Sequence, residues 1–167
     1  LIRPAVVPAG MLFPTHLLAA ALVGRASRLS PLWLVVGTAV PDVLDKPLGM
    51  LGVTALYHSV GHSALFALVA VPVALSGRAG RAAAIGWALH LLLDAVHVVV
   101  NGRPGHAVFL LWPAVLPTDP LALPPGSFFQ YYLWTPSFLL EVGLWLVAVA
   151  ALLATRRSGQ SPLGSRG

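Results

Sequence analysis

The chain has no cysteine, which excludes disulfides and thiolate metal sites and leaves histidine, aspartate and glutamate as its only strong metal ligands. Charge is scarce as well. Asp, Glu, Lys and Arg together make up 9% of the 167 residues, against about 25% in ordinary soluble domains. The ten basic residues, nine Arg and Lys46, stand at the ends of apolar runs and form no stripe. The net charge of +5 therefore does not mark a nucleic-acid binder, and no nucleic-acid partner is expected. No ordinary signal peptide opens the chain, and residues 1–10, ahead of the first methionine at Met11, read as an N-terminal extension.

What the chain has instead is apolar length: 57% of its residues are hydrophobic. Apolar runs between charged or Pro/Gly breaks predict five helices, about Met11 to Val23, Pro31 to Val43, His58 to Leu75, Ala82 to Val100 and Pro136 to Ala154. The fold class expected is all-α, a polytopic transmembrane bundle spanning residues 11–155. Helices one and two are short for spanning, since 13 residues rise only about 20 Å, and so extend into flanking turns, thin the bilayer or re-enter. Residues 101–135, rich in Pro, Phe, Tyr and Trp, read as an interfacial cap, and the basic tail 156–167 as disordered. Arg25, Arg28, Arg78, Arg81, Arg156 and Arg157 share one side if the N-terminus is outside. Arg3, Lys46 and Arg103 then share the other, so the positive-inside rule gives an integral cell-membrane protein with N-terminus out and C-terminus cytoplasmic.

Nine ionisable residues nevertheless fall within these helices: His16, Asp42, Asp45, His58, His62, His90, Asp94, His97 and Glu141. Each is costly in hydrocarbon unless paired, hydrated or metal-bound. With five alternating spans they collapse into one layer near the outer face. Spacing sharpens the pattern: His58 and His62 share a face on a helix, as do His90 and Asp94 with His97 close by, and Asp42 with Asp45. Paired histidines with carboxylates from other helices are how a helical bundle holds Zn²⁺, Mn²⁺ or Fe²⁺, zinc being the first choice here. A lone buried histidine more often bonds a backbone carbonyl, and it is convergence in one layer that favours ligation. The expected ligands are His16, Asp42, Asp45, His58, His62, His90 and Asp94, with Asp45 or Asp94 as general base and Glu141 and His97 behind them. His106 reads as a solvated loop residue and Asp119 as a turn former. Gly61, Gly86 and the alanines 82–84 read as close helix packing.

The strings "PTHLLAA", "GTAVPDVLDKP", "YHSVGHSALF" and "GWALHLLLDAV", followed by "LLWP", resemble in order the YdjM-like family of membrane-bound metal-dependent hydrolases. The match runs from about Thr15 to Pro113. The resemblance implies metal-dependent hydrolase activity at the membrane, with His16, Asp42, Asp45, His58, His62, His90 and Asp94 at the family's motif positions. The acidic pair departs from the commoner Asp-x-Asp, and no Arg follows His58. A bound ion would lower the pKa of its water from about 16 toward ~7. Among membrane lipids, the expected substrate is an ester or phosphoester of lipid-like form. Two rivals stay open: a divalent-cation carrier, which needs access from both sides, and a purely structural metal site.

Overall fold

The computed structural model describes residues 11–54, 56–102, 104–116, 129–130 and 132–159, with side chains described to residue 155. The described residues form helices and turns without a strand. Five α-helices follow in order: α1 (Phe13–Ala26), α2 (Pro31–Met50), α3 (Ala67–Leu75), α4 (Arg78–Val100) and α5 (Pro136–Gly159). Short 3₁₀ segments stand at Ala64–Phe66 and Pro104–Leu111. Proline sits in the first turn of α1 and of α2, where its fixed φ suits the helix and its missing N–H costs nothing. Gly77 precedes α4 at φ 133°, a conformation that suits glycine.

The helix limits differ from the sequence reading: α4 begins earlier, at Arg78, α5 continues to Gly159 and so takes in residues 156–159 that read as disordered tail, and α2 and the third helix differ most. α2 does not stop at Val43 but continues through Pro41 and Pro47 to Met50. The charges that read as a break hold its last turns instead, since Lys46 and Asp42, four residues apart, pair at 3.2 Å. Helix three does not begin at His58. Residues 57–63 are bends and turns, and helix starts with the 3₁₀ turn at Ala64. The reason lies in the Asp45 carboxylate, which accepts backbone N–H groups of Ser59, Gly61 and His62, donors drawn out of any helical ladder.

α2 packs between α1 and α4, α3 packs against α4, and α5 meets α1 and α4. Two glycines set the α2–α4 approach. A Cβ at Gly37 would lie 1.8 Å from the Ala83 carbonyl oxygen, and one at Gly86 2.1 Å from that of Leu34. The resulting closeness lets the Thr38 hydroxyl donate to the Gly86 carbonyl at 2.8 Å, which fixes the register of Asp42 and Asp45 against His90 and Asp94. Beside this seam pack Ala20, Leu34 and Ala82, while Leu91, Val98 and Phe109 pack α4 against the 3₁₀ segment after it.

The molecule is turned inside out relative to a water-soluble bundle. His16, Asp45, His62, His90, Asp94 and Glu141 are buried, while Leu68, Leu75 and Leu146 are 76%, 81% and 65% exposed. Two stretches, Arg78–Val100 and Pro136–Thr155, are long and apolar enough to cross a membrane. α1 and α3 are shorter, and α2, though 20 residues long, carries Asp42, Asp45 and Lys46.

Candidate metal centre

The structure brings all seven expected ligands to one end of the bundle. α1 supplies His16, the second half of α2 supplies Asp42 and Asp45, the turn before α3 supplies His58 and His62, and α4 supplies His90 and Asp94. Asp94 lies at the centre. Its Oδ1 is 3.2 Å from His16 Nε2, and its Oδ2 lies 3.3, 3.5 and 3.8 Å from Nε2 of His90, His62 and His58. Asp42 Oδ1 is 3.6 Å from His62 Nε2. Two overlapping triads, His16–Asp42–His90 and His58–His62–Asp94, each bring their donor atoms within 4.8 Å of one another. That geometry can hold a metal ion.

Proton placement makes the fit chemical as well as spatial. His16 Nδ1 faces the Leu12 carbonyl at 3.2 Å, and His90 Nδ1 faces the Thr38 carbonyl at 2.8 Å. Carbonyl oxygens only accept, so both Nδ1 atoms carry a proton, and in the neutral imidazole each Nε2 turns a lone pair to the centre. His62 Nδ1 is likewise 2.7 Å from Asp45 Oδ2. Its Nε2 then sits 3.0 Å from His90 Nε2. Two lone pairs at that distance repel unless a positive charge lies between them. His16 Nε2, fully buried, has no hydrogen-bond partner among the described residues beyond its 3.2 Å approach to Asp94 Oδ1, and its ring stacks on His90 with centroids 3.9 Å apart. Burial lowers the His62 pKa, but hydrogen bonds to Asp45 and Asp94 outweigh it and leave the imidazole above its ordinary value. Burial, then the charge of Lys46, holds His58 well below its ordinary value. The centre favours a cation, and His58 meets it neutral.

Asp45 has a different position from the one its spacing suggested. Its oxygens accept the N–H groups of Ser59 at 2.7 Å, Gly61 at 3.0 Å and His62 at 3.2 Å, besides the His62 ring. It therefore organises the turn and aims His62, in the manner of a carboxylate behind a ligating histidine. Gly61 is needed here, because a Cβ would lie 2.8 Å from Pro41 Cα.

Glu141 stands beside the cluster and binds donors only. It accepts from the Leu12 N–H at 2.8 Å, the Thr15 hydroxyl at 2.5 Å and the Tyr132 hydroxyl. Burial, and then Glu141 itself, push the Tyr132 phenol far above its ordinary value, so it remains a donor. Trp145 in turn donates to Thr15 at 3.0 Å. These contacts seat the start of α1, as does the Met11 N–H on Asp94 Oδ1 at 3.1 Å, and so place His16. His97 donates from Nδ1 to the Leu93 carbonyl at 2.8 Å and lies outside both triads. Asp119 and the tail 160–167 fall outside the described residues.

Sequence reasoning missed the Thr38 carbonyl, the Thr15–Tyr132–Trp145 set and the pairing of Lys46. Only the last had a signal, the four-residue spacing from Asp42. A roof is formed by Phe109, whose ring lies 5.7 Å from that of His58, and by the Ser63 hydroxyl, which donates to the Trp112 carbonyl. The side chains of His58 and Lys46 are 22% and 30% exposed, whereas those of His16, His62, His90 and Asp94 are at most 3% exposed. The opening lies on their side.

No family model, curated protein or solved structure matches the chain.

Proposed function

We propose that this chain is an integral-membrane, metal-dependent hydrolase of five membrane helices, N-terminus outside and C-terminus cytoplasmic, acting on an ester or phosphoester of a lipid-like molecule. The observation that carries the reading is the convergence of buried Nε2 lone pairs on Asp94, with two of them 3.0 Å apart. The motif resemblance to the YdjM-like hydrolases points the same way, and so does an apolar exterior around a polar interior.

His16, His58, His62, His90, Asp42 and Asp94 would hold the ion or ion pair, with zinc first in preference and manganese or iron as the other candidates. Such an ion supplies Lewis acidity toward water and toward the carbonyl or phosphoryl oxygen of the substrate. The chain's own residues do the rest. Asp45 fixes the tautomer of His62, and the Thr38 carbonyl fixes that of His90. Asp94 Oδ2, facing the centre, takes a proton from the attacking water. Water oxygen bonds to the carbonyl carbon or phosphorus, the bond to the leaving alkoxide breaks, and that alkoxide takes up the proton held on Asp94, which returns to its carboxylate form. Phe109 adds an apolar ring beside His58, and the Ser63–Trp112 contact ties the following loop to the same turn.

A carrier would need a second polar opening. Among the described residues the buried ionisable side chains all belong to the end of the bundle that holds the triads, and none to the stretches near Ala26 or Arg78. The test is turnover of phosphoester and ester substrates in mixed micelles by metal-loaded protein. Hydrolysis that stops with chelator and with Asp94→Ala supports the reading. Ion flux into proteoliposomes without hydrolysis would replace it with the carrier.

A further inference from the structure

Lys46 is the chain's single lysine, and it stands at the opening of the cluster. Its Nζ is 3.2 Å from Asp42 Oδ1, the same oxygen that lies 3.6 Å from His62 Nε2. An ammonium group has three N–H donors, and Asp42 is its ion-pair partner among the described residues. The Lys46 side chain is 30% exposed, and His58, at 22%, is the partly exposed histidine of the cluster. Asp42 already joins Lys46 to the cluster, and an ion that took the same carboxylate as a ligand would leave the ammonium in need of a second anion. An ordinary surface pair along a helix contributes little to stability.

The surroundings of Lys46 are apolar. Val43, Met50, Leu51 and Val53, on the last turns of α2 and just beyond, are 60%, 67%, 77% and 68% exposed. A positive point charge thus borders both a metal-binding cluster and an exposed apolar flank. That arrangement suits a molecule with an anionic head and a hydrocarbon body, and gives a neutral ester no use for the charge.

Resting on the hydrolase reading above, we infer that Lys46 binds a phosphate group at the mouth of the centre, making the substrate a phosphoester. Lysine acts on phosphate as a compact point charge. Asp42 holds the ammonium against the cluster, so the phosphate oxygens lie between Lys46 and the centre.

The test is equilibrium binding of inorganic phosphate, and separately of mixed micelles carrying phosphatidic acid, to the zinc-loaded full chain, with metal content measured in every sample. Lys46→Met should weaken phosphate binding at least about tenfold, the loss of one charge-assisted contact, with metal content unchanged. Lys46→Arg should keep most of the affinity. Loss confined to the phosphatidic acid micelles identifies a lipid headgroup as the ligand. Loss shared with inorganic phosphate identifies phosphate as such. Equal binding by Lys46→Met and wild type at equal metal content, or binding of neither inorganic phosphate nor the phosphatidic acid micelles by wild type, overturns the inference and leaves the hydrolase reading standing. Wild type that carries no metal yet loses phosphate with Lys46→Met keeps the phosphate site and removes the hydrolase.

Discussion

Asp94 and Glu141 are two carboxylates buried to nearly the same degree, both touching the first residues of α1, and they face opposite kinds of neighbour. Glu141 meets only protons: the Leu12 N–H and the hydroxyls of Thr15 and Tyr132. Asp94 takes one backbone N–H, from Met11, and otherwise faces imidazole nitrogens, two of which present lone pairs when their rings are neutral. A carboxylate surrounded by donors is satisfied and holds structure. One surrounded by lone pairs leaves the site short of positive charge. The side-chain tautomers, set by carbonyls one layer further out, decide which is which.

Substitutions sharpen this contrast. The largest effect is expected from Asp94→Ala, which removes the group shared by four imidazoles: the purified protein should lose its metal entirely, as read by elemental analysis. Asp45→Asn should retain the fold but lower metal affinity by about 10–100-fold, the usual consequence of losing the carboxylate behind a ligating histidine, measured by competition with a chelator. Glu141→Gln should do the reverse. Metal stoichiometry stays, while the thermal midpoint in detergent falls by an amount equivalent to about 1–3 kcal/mol, since the buried donors around it lose an ionised acceptor. Gly86→Ala forces α2 and α4 apart against the Leu34 carbonyl and should cost about 1–3 kcal/mol as well, with metal affinity reduced too because Thr38 no longer reaches His90. Tyr132→Phe is the smallest, about 1 kcal/mol and no change in metal. If Glu141→Gln emptied the site while Asp94→Ala did not, the contrast would be inverted.

The sequence made the ligand layer legible because ionisable residues are so rare in it. Asp, Glu and His are confined to a few places in apolar runs, and His16, Asp42, His58, His62, His90 and Asp94 do lie together. The helical class was legible from the same runs. Local geometry was not. The spacing of His58 and His62 matches a helical turn, yet Gly61 and the pull of Asp45 on three backbone N–H groups make that stretch a non-helical turn. Residue spacing reports which side chains share a face only if the backbone is helical, and the backbone here is set by a carboxylate 14 to 17 residues away in sequence. The same contact gives Asp45 its orienting position, which no count of ligands could reveal. Thr38 was hidden for a related reason, since it acts through its carbonyl, a group every residue has.

The central claim is that converging lone pairs hold a metal ion. Elemental analysis of detergent-purified protein, beside His62→Ala with His90→Ala, tests it directly. Wild type should carry one or two ions per chain after reconstitution with Zn²⁺ or Mn²⁺, and the double variant none. Wild type that remains without metal under both reconstitutions would contradict the account, and a shared proton would then be the charge between His62 and His90.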